Sequence, residues 1–152
     1  MVRKLKIDKD KLSPMMKEYV ELKEKNQDAI VMYRIGDFFE MFFDDAIEAS
    51  EMLDLVLTGR DCGLDGRAPM CGVPAKAVDF YINKLGQMSK KVVIVDQVED
   101  PRLAQGLVKR DIVKIVTPGT SSSGEELNKY IIYLYIDDMG ASIVKCDYLT
   151  GD

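Results

Sequence analysis

Histidine is absent from the 152 residues. Its absence excludes Ser-His-Asp and Cys-His catalysis and removes the commonest metal ligand. Cysteine is scarce: Cys62, Cys71 and Cys146 are odd in number and irregular in spacing. They suit neither a disulfide framework nor a zinc site. No apolar run approaches the ~18–20 residues that a membrane span needs. The basic start, Met1-Val2-Arg3-Lys4-Leu5-Lys6, is not followed by the apolar core of a signal peptide. The chain therefore reads as cytoplasmic, with no membrane partner. Nothing matches the phosphate-binding pattern G-x-x-x-x-G-K-[ST], so ATP hydrolysis by this chain is not expected. Positive charge is also short. A net charge of -5 leaves no general electrostatic grip on nucleic acid, and any such binding must be local or shared with other parts.

An apolar share of 47% is ordinary for a soluble domain and sufficient for a core. The centre of the chain is Tyr33-Arg34-Ile35-Gly36-Asp37-Phe38-Phe39-Glu40-Met41-Phe42-Phe43, which holds four of the five phenylalanines. Gly36-Asp37 reads as a turn, and Phe38 to Phe43 as a short aromatic strand. Strand alternation groups Phe38, Glu40 and Phe42 on one face, and Phe39, Met41 and Phe43 on the other. If the second group faces the core, Phe38 and Glu40 project side by side from the open face, just after the turn. The plainer reading is that aromatic strands report packing.

Ser13-Pro14 predicts a helix start, with Met15, Tyr19 and Leu22 at helical spacing. Ala29 to Tyr33 reads as a strand. Asp44-Asp45 opens a second helix, either as caps at its positive end or as metal ligands with Asp37, and Ala46, Ala49, Ser50 and Leu53 line one side of it. Leu55 to Thr58 reads as a short strand, and Gly59 to Cys71 as a loop carrying Arg60 and Arg67. Gly72-Val73-Pro74 leads to a third helix with Val78, Ile82 and Leu85. Val92 to Val95 is a buried-type strand closed by Gln97-Val98-Glu99-Asp100-Pro101. Arg102 to Gly106 reads as a connection. Lys109 to Val116 is the most basic strand, either a lysine-protected edge or a phosphate-contacting strand. Thr117 to Gly124 is linker-like. Tyr130 to Ile136 and Ala141 to Tyr148 flank Asp137-Asp138-Met139-Gly140 as a hairpin.

Taken in order, several blocks carry a resemblance. They are Ser13-Pro14-Met15-Met16 with its tyrosine helix, Tyr33 to Glu40, Asp44-Asp45-Ala46, and Leu57-Thr58 with Arg60. Pro69-Met70-Cys71-Gly72-Val73-Pro74, Gln97 to Pro101 and Arg110 to Thr120 complete the set. Over about residues 11 to 120 the chain resembles the N-terminal, mismatch-recognising domain of the MutS family of DNA mismatch-repair proteins. The resemblance implies an α/β domain of the α+β type, with a mixed sheet of about six strands and helices packed around it. It divides the chain into a mismatch-recognition domain (1–120), a linker (121–129) and the hairpin that starts an incomplete connector domain (130–152).

By the same resemblance Phe38 is a wedge that stacks on a mispaired or unpaired base from the minor groove, and Glu40 hydrogen-bonds that base. Ile35, Gly36 and Asp37 form the approach, and Arg60, Met70 and Arg110 are minor-groove or backbone neighbours. No catalytic, cofactor or metal residue is implied. ATP and magnesium belong to the full-length family proteins, as do the remaining domains and a homodimeric partner. The implied partner of this chain is mismatched double-stranded DNA. Two departures stand out: Ala75-Lys76 replaces a frequent Tyr-His, and Phe39 a frequent tyrosine. Two rival readings remain on the residues alone. One is a magnesium-dependent nuclease built on Asp37, Glu40, Asp44 and Asp45; the other is a protein-interaction module with an aromatic strand edge.

Overall fold

The computed structural model describes residues 8–99, 108–118 and 130–147. The helices are α1 (Pro14–Lys25), α2 (Phe43–Leu53) and α3 (Val78–Gln87). The strands are β1 (Ala29–Ile35), β2 (Phe38–Phe42), β3 (Thr58–Asp61), β4 (Arg67–Pro74), β5 (Lys91–Gln97) and β6 (Arg110–Val116), followed by β7 (Tyr130–Asp137) and β8 (Gly140–Asp147). The first six strands form one sheet in the order β3-β4-β2-β1-β5-β6. Only β1 and β5 run parallel; the other pairings are antiparallel. The described chain is thus α/β, with the mixed six-stranded sheet and the separate hairpin that the sequence implied.

Strands covered on both faces read as continuous apolar runs, and β1 and β5 show this. Ala29 to Tyr33 and Val92 to Val95 are buried without interruption. Ile30, Met32, Phe39, Met41, Val92 and Ile94 pack with Ala46, Ala49 and Leu53 of α2 and Ile82 and Leu85 of α3. Val31, Tyr33, Phe42, Val93 and Val95 pack with Met16, Tyr19 and Val20 of α1. The sheet is therefore a middle layer between α1 on one side and α2 and α3 on the other.

Several expectations need correction. The inward face of α1 is Met16-Tyr19-Val20; Met15 and Leu22 pack only at its border. Ser13 is the N-cap residue, but its side chain makes no capping bond. Asp44 and Asp45 do not cap α2 either, since Phe42 holds that position and the acids occupy the first turn, where the helix dipole favours them. The strand expected at Leu55 starts only at Thr58. The expected loop from Gly59 to Cys71 is largely a β3–β4 hairpin. Its glycines and proline suggested a loop, yet Gly59 and Pro69 face each other within the ladder. Lys109 precedes β6 rather than starting it, and β6 does form a sheet edge. The connection at Arg102 to Gly106 and most of the linker lie outside the described residues. In the terminal hairpin, the Asp137 Oδ1 accepts from the backbone N–H groups of Met139 (2.8 Å) and Gly140 (2.9 Å), which fixes the turn.

A buried polar node ties α1 to the sheet and to α2. The Tyr19 hydroxyl donates to Asp45 Oδ2 at 2.9 Å and accepts from the Phe42 N–H at 3.2 Å. The Val31 N–H donates to the same Asp45 oxygen at 3.0 Å, and Lys23 Nζ lies 2.7 Å from the other. Burial pushes the Asp45 carboxyl above the usual carboxylate range, against the opposing pull of Lys23 and these hydrogen bonds. Burial, and then the Asp45 charge, push the Tyr19 hydroxyl well above its ordinary value.

Two outcomes follow. Tyr19→Phe leaves buried partners unsatisfied, which costs about 1–3 kcal/mol, and urea unfolding is expected to show that loss. A carboxyl pKa raised in the folded state means that the folded state holds its proton more tightly than the unfolded one. Its contribution is then fullest below the ordinary carboxylate value and declines as pH rises through the raised one. Urea titrations across the acidic range are expected to shift in favour of the native protein over Asp45→Asn as pH falls.

Candidate nucleic-acid interface

The β1–β2 hairpin places the candidate residues. Ile35 pairs with Phe38, so Gly36 and Asp37 alone make the reversal. Gly36 has φ +55, and a Cβ there would meet nothing within 4 Å. The residue is thus chosen for its backbone angle, at an open apex. Two bonds pin the turn. The Ala75 N–H donates to the Asp37 carbonyl at 2.8 Å, and Arg34 Nε donates to the Gly36 carbonyl at 2.5 Å. Ala75 thus contributes through its backbone.

Phe38, Glu40 and Phe42 share the α1 side of the sheet, but their surroundings differ along the strand. Phe42 is fully buried against Tyr19, with ring centroids 5.0 Å apart. Glu40 is half-buried, and Phe38, beyond the cover of α1, is 48% exposed. Phe39, Phe42 and Phe43 are all buried, so Phe38 is the one exposed ring of this stretch. The expected open face is therefore only its first two positions. Phe43 also leaves the expected grouping with Phe39 and Met41. Its φ of +53 at the strand-to-helix junction accompanies packing in the same cluster as Phe42. A bulky residue at positive φ is uncommon, and no local sequence signal announces it.

Glu40 faces Tyr33 of β1 and Gly72 of β4. A Cβ on Gly72 would lie 3.3 Å from the Glu40 Cγ, so glycine leaves the room that this side chain occupies. The Glu40 Oε2 accepts from Arg60 Nη1 at 2.5 Å. The pair bridges β2 and β3 across the intervening β4, with 14% of the Glu40 side chain and 34% of the Arg60 side chain exposed. Neither Gly72 nor this pairing was anticipated; the available signal for Gly72 is a glycine inside a strand.

The remaining candidates lie around this pair. Ile35 is half-buried beside Phe38, and Asp37 is exposed at the turn. Met70 is half-buried, opposite Phe42 and Thr58. Arg110 sits over the Tyr33 ring at 5.1 Å and donates to the Arg34 carbonyl at 2.9 Å and the Val108 carbonyl at 2.8 Å. It thus braces the open end of the sheet through internal bonds. The carboxylates of the magnesium-nuclease reading do not converge on one point in the described structure. Asp45 is spent inside the fold, Glu40 is paired with Arg60, and no group of three or more acidic or cysteine ligands comes together among the described residues. No helix among those residues is long and apolar enough to cross a membrane.

The site is thus an exposed ring and a paired carboxylate on the β1–β2 hairpin of an α/β domain. The sequence model for MutS domain I matches residues 13–125. The chain belongs to the MutS domain I family. It is 56% identical over 146 residues to the DNA mismatch repair protein MutS of Clostridium tetani, covering 93% of this chain and 17% of that protein. It is 51% identical over 145 residues to the protein of the same name in Clostridium novyi, covering 93% and 16%. Against that of Clostridioides difficile it is 45% identical over 152 residues, covering 97% and 16%. The chain thus spans 16–17% of the length of these curated relatives.

The two phenylalanines of one strand face give a direct contrast. Phe42→Ala is expected to destabilise the fold by about 3–5 kcal/mol, the range for emptying a buried aromatic site. Phe38→Ala should stay within about 1 kcal/mol of the native protein, since its ring is already half in water. Denaturant unfolding of both variants checks this; a comparable loss in Phe38→Ala would place that ring in the core.

Proposed function

We propose that this chain recognises mispaired or unpaired bases in duplex DNA, as the recognition part of a mismatch-repair protein. The observation that carries this reading is the half-exposed Phe38 ring on a pinned hairpin tip, two positions from the Glu40 carboxylate, in a chain of this family. Phe38 is the minor-groove wedge: a flat apolar ring replaces stacking lost at a kinked step. A mismatch is already poorly stacked and paired, so kinking it costs less than kinking normal duplex. Selection then rests on deformability. Glu40 accepts an N–H from the displaced base, and its charge disfavours sites that offer no such partner.

Ile35, Gly36 and Asp37 approach the base. Arg60, Met70 and Arg110 flank the groove or the backbone, and Lys109, just before β6, adds to the basic edge that Arg110 and Lys114 of β6 supply. In this reading residues 1–120 form the recognition domain, 121–129 a linker and 130–152 the start of a connector domain, within a cytoplasmic, homodimeric protein. ATP and magnesium are used by other domains, and this chain performs no catalysis.

Kinking a duplex costs on the order of 1–6 kcal/mol, to be offset by contacts that the bend permits. With a net charge of -5 the chain offers few phosphate contacts. In the proposed assembly, clamp domains and a second subunit hold the duplex bent. Titrating the chain alone against matched and single-mismatch duplexes at two salt concentrations is expected to give weak, salt-sensitive binding with little preference. Joined to the remaining domains of a full-length relative, it is expected to prefer the mismatch, and Phe38→Ala to abolish that preference, a stacking loss of about 1–3 kcal/mol. Selective binding that survives Phe38→Ala would remove the wedge from the mechanism. Submicromolar selectivity by the chain alone would show that the clamp is unnecessary.

A further inference from the structure

In the free chain Arg60 is bonded through Nη1 to the Glu40 carboxylate, which neutralises its charge and holds its direction. The pair is partly buried, bridges two non-adjacent strands, and occupies room that the glycine at position 72 leaves open. A carboxylate and a phosphate oxygen present the same charge and the same acceptor geometry to a guanidinium. They therefore compete for Arg60. We propose that Glu40 withholds Arg60 from the DNA backbone, and that a mispaired base which captures Glu40 releases Arg60 to a neighbouring phosphate. This rests on the wedge reading above and assigns Arg60 the part of a specificity-determining residue. A base donor at Glu40 is thereby converted into an additional backbone contact elsewhere on the same face. Paired bases keep their Watson–Crick donors engaged, so in normal duplex Arg60 stays with Glu40 except where a guanine N2 amino group faces it.

Salt dependence separates this exchange from simple charge repulsion, because each phosphate contact contributes about 0.9 to the slope of log affinity against log salt. The experiment is a titration of the full 152-residue chain with matched duplex over a salt series, for native protein, Glu40→Gln, Arg60→Ala and the double variant. R60Q replaces R60A if thermal unfolding shows the latter to be misfolded. With Arg60 present, E40Q is expected to tighten binding severalfold and to steepen the slope by about one contact. In the R60A background E40Q should leave the slope unchanged, because no cation remains there to be released. If E40Q tightens binding equally with and without Arg60 at constant slope, Glu40 acts by repulsion alone; the exchange is then wrong and the wedge reading stands. If E40Q alters binding in neither background, Glu40 does not disfavour matched duplex by either route. Loss of the wedge reading itself is seen separately, in Phe38→Ala.

Discussion

The Tyr19–Asp45 hydrogen bond fixes where the open surface begins. It joins α1 to the first turn of α2, and through Asp45 and the tyrosine hydroxyl it reaches the backbone of Val31 and Phe42. These are neighbouring positions on the two central strands. A buried hydroxyl and carboxylate without partners would cost several kcal/mol, so α1 is not free to slide along the sheet. Its cover extends over Val31, Tyr33 and Phe42 and stops short of the Gly36 turn. The exposure of Phe38 is therefore a consequence of how far the helix is allowed to reach. The same alternation that buries Phe42 would bury Phe38 if the helix lay nearer the turn.

What the sequence made legible follows from which interactions are local. The turn at Gly36-Asp37, the apolar runs of β1 and β5, the small-residue face of α2 and the last hairpin depend on neighbours within a few positions, and each was readable. The β3–β4 hairpin was not. Gly59 and Pro69 individually favour loops, while the ladder that orders them is formed with residues across the hairpin and with β2. Phe43 misled for a related reason: a period of two holds only while the strand continues, and a positive φ at the next residue ends it.

Of the candidate site, the sequence could supply Phe38 and Glu40 as neighbours on one strand face. The family's pattern supplied the names of Arg60, Met70 and Arg110, but not their bonds. Glu40 and Arg60 are 20 positions apart, and their contact requires both the hairpin that was read as a loop and the space left by Gly72. Arg110 is 76 positions from the Arg34 carbonyl that it holds; the parallel pairing of β1 with β5 and the antiparallel pairing of β5 with β6 bring it there.

In the proposed role the Phe38 ring works as a wedge only if it cannot retreat when it meets the stack, and the backbone bonds of the turn bear on that directly. Side chains on regular elements are held more closely than those on loops. Phe38 is the first residue of β2, cross-strand from both Ile35 and Pro74, so it has strand neighbours on each side. The Ala75 N–H holds the Asp37 carbonyl from the β4 side, and Arg34 holds the Gly36 carbonyl from the β1 side. Without these bonds the two turn residues could fold back, and the energy of insertion would be spent on moving the hairpin. With them, little ordering entropy is left to lose at the moment of contact. The identity of the side chain at position 75 matters little to this anchor, because the donor is a main-chain N–H that any residue except proline provides.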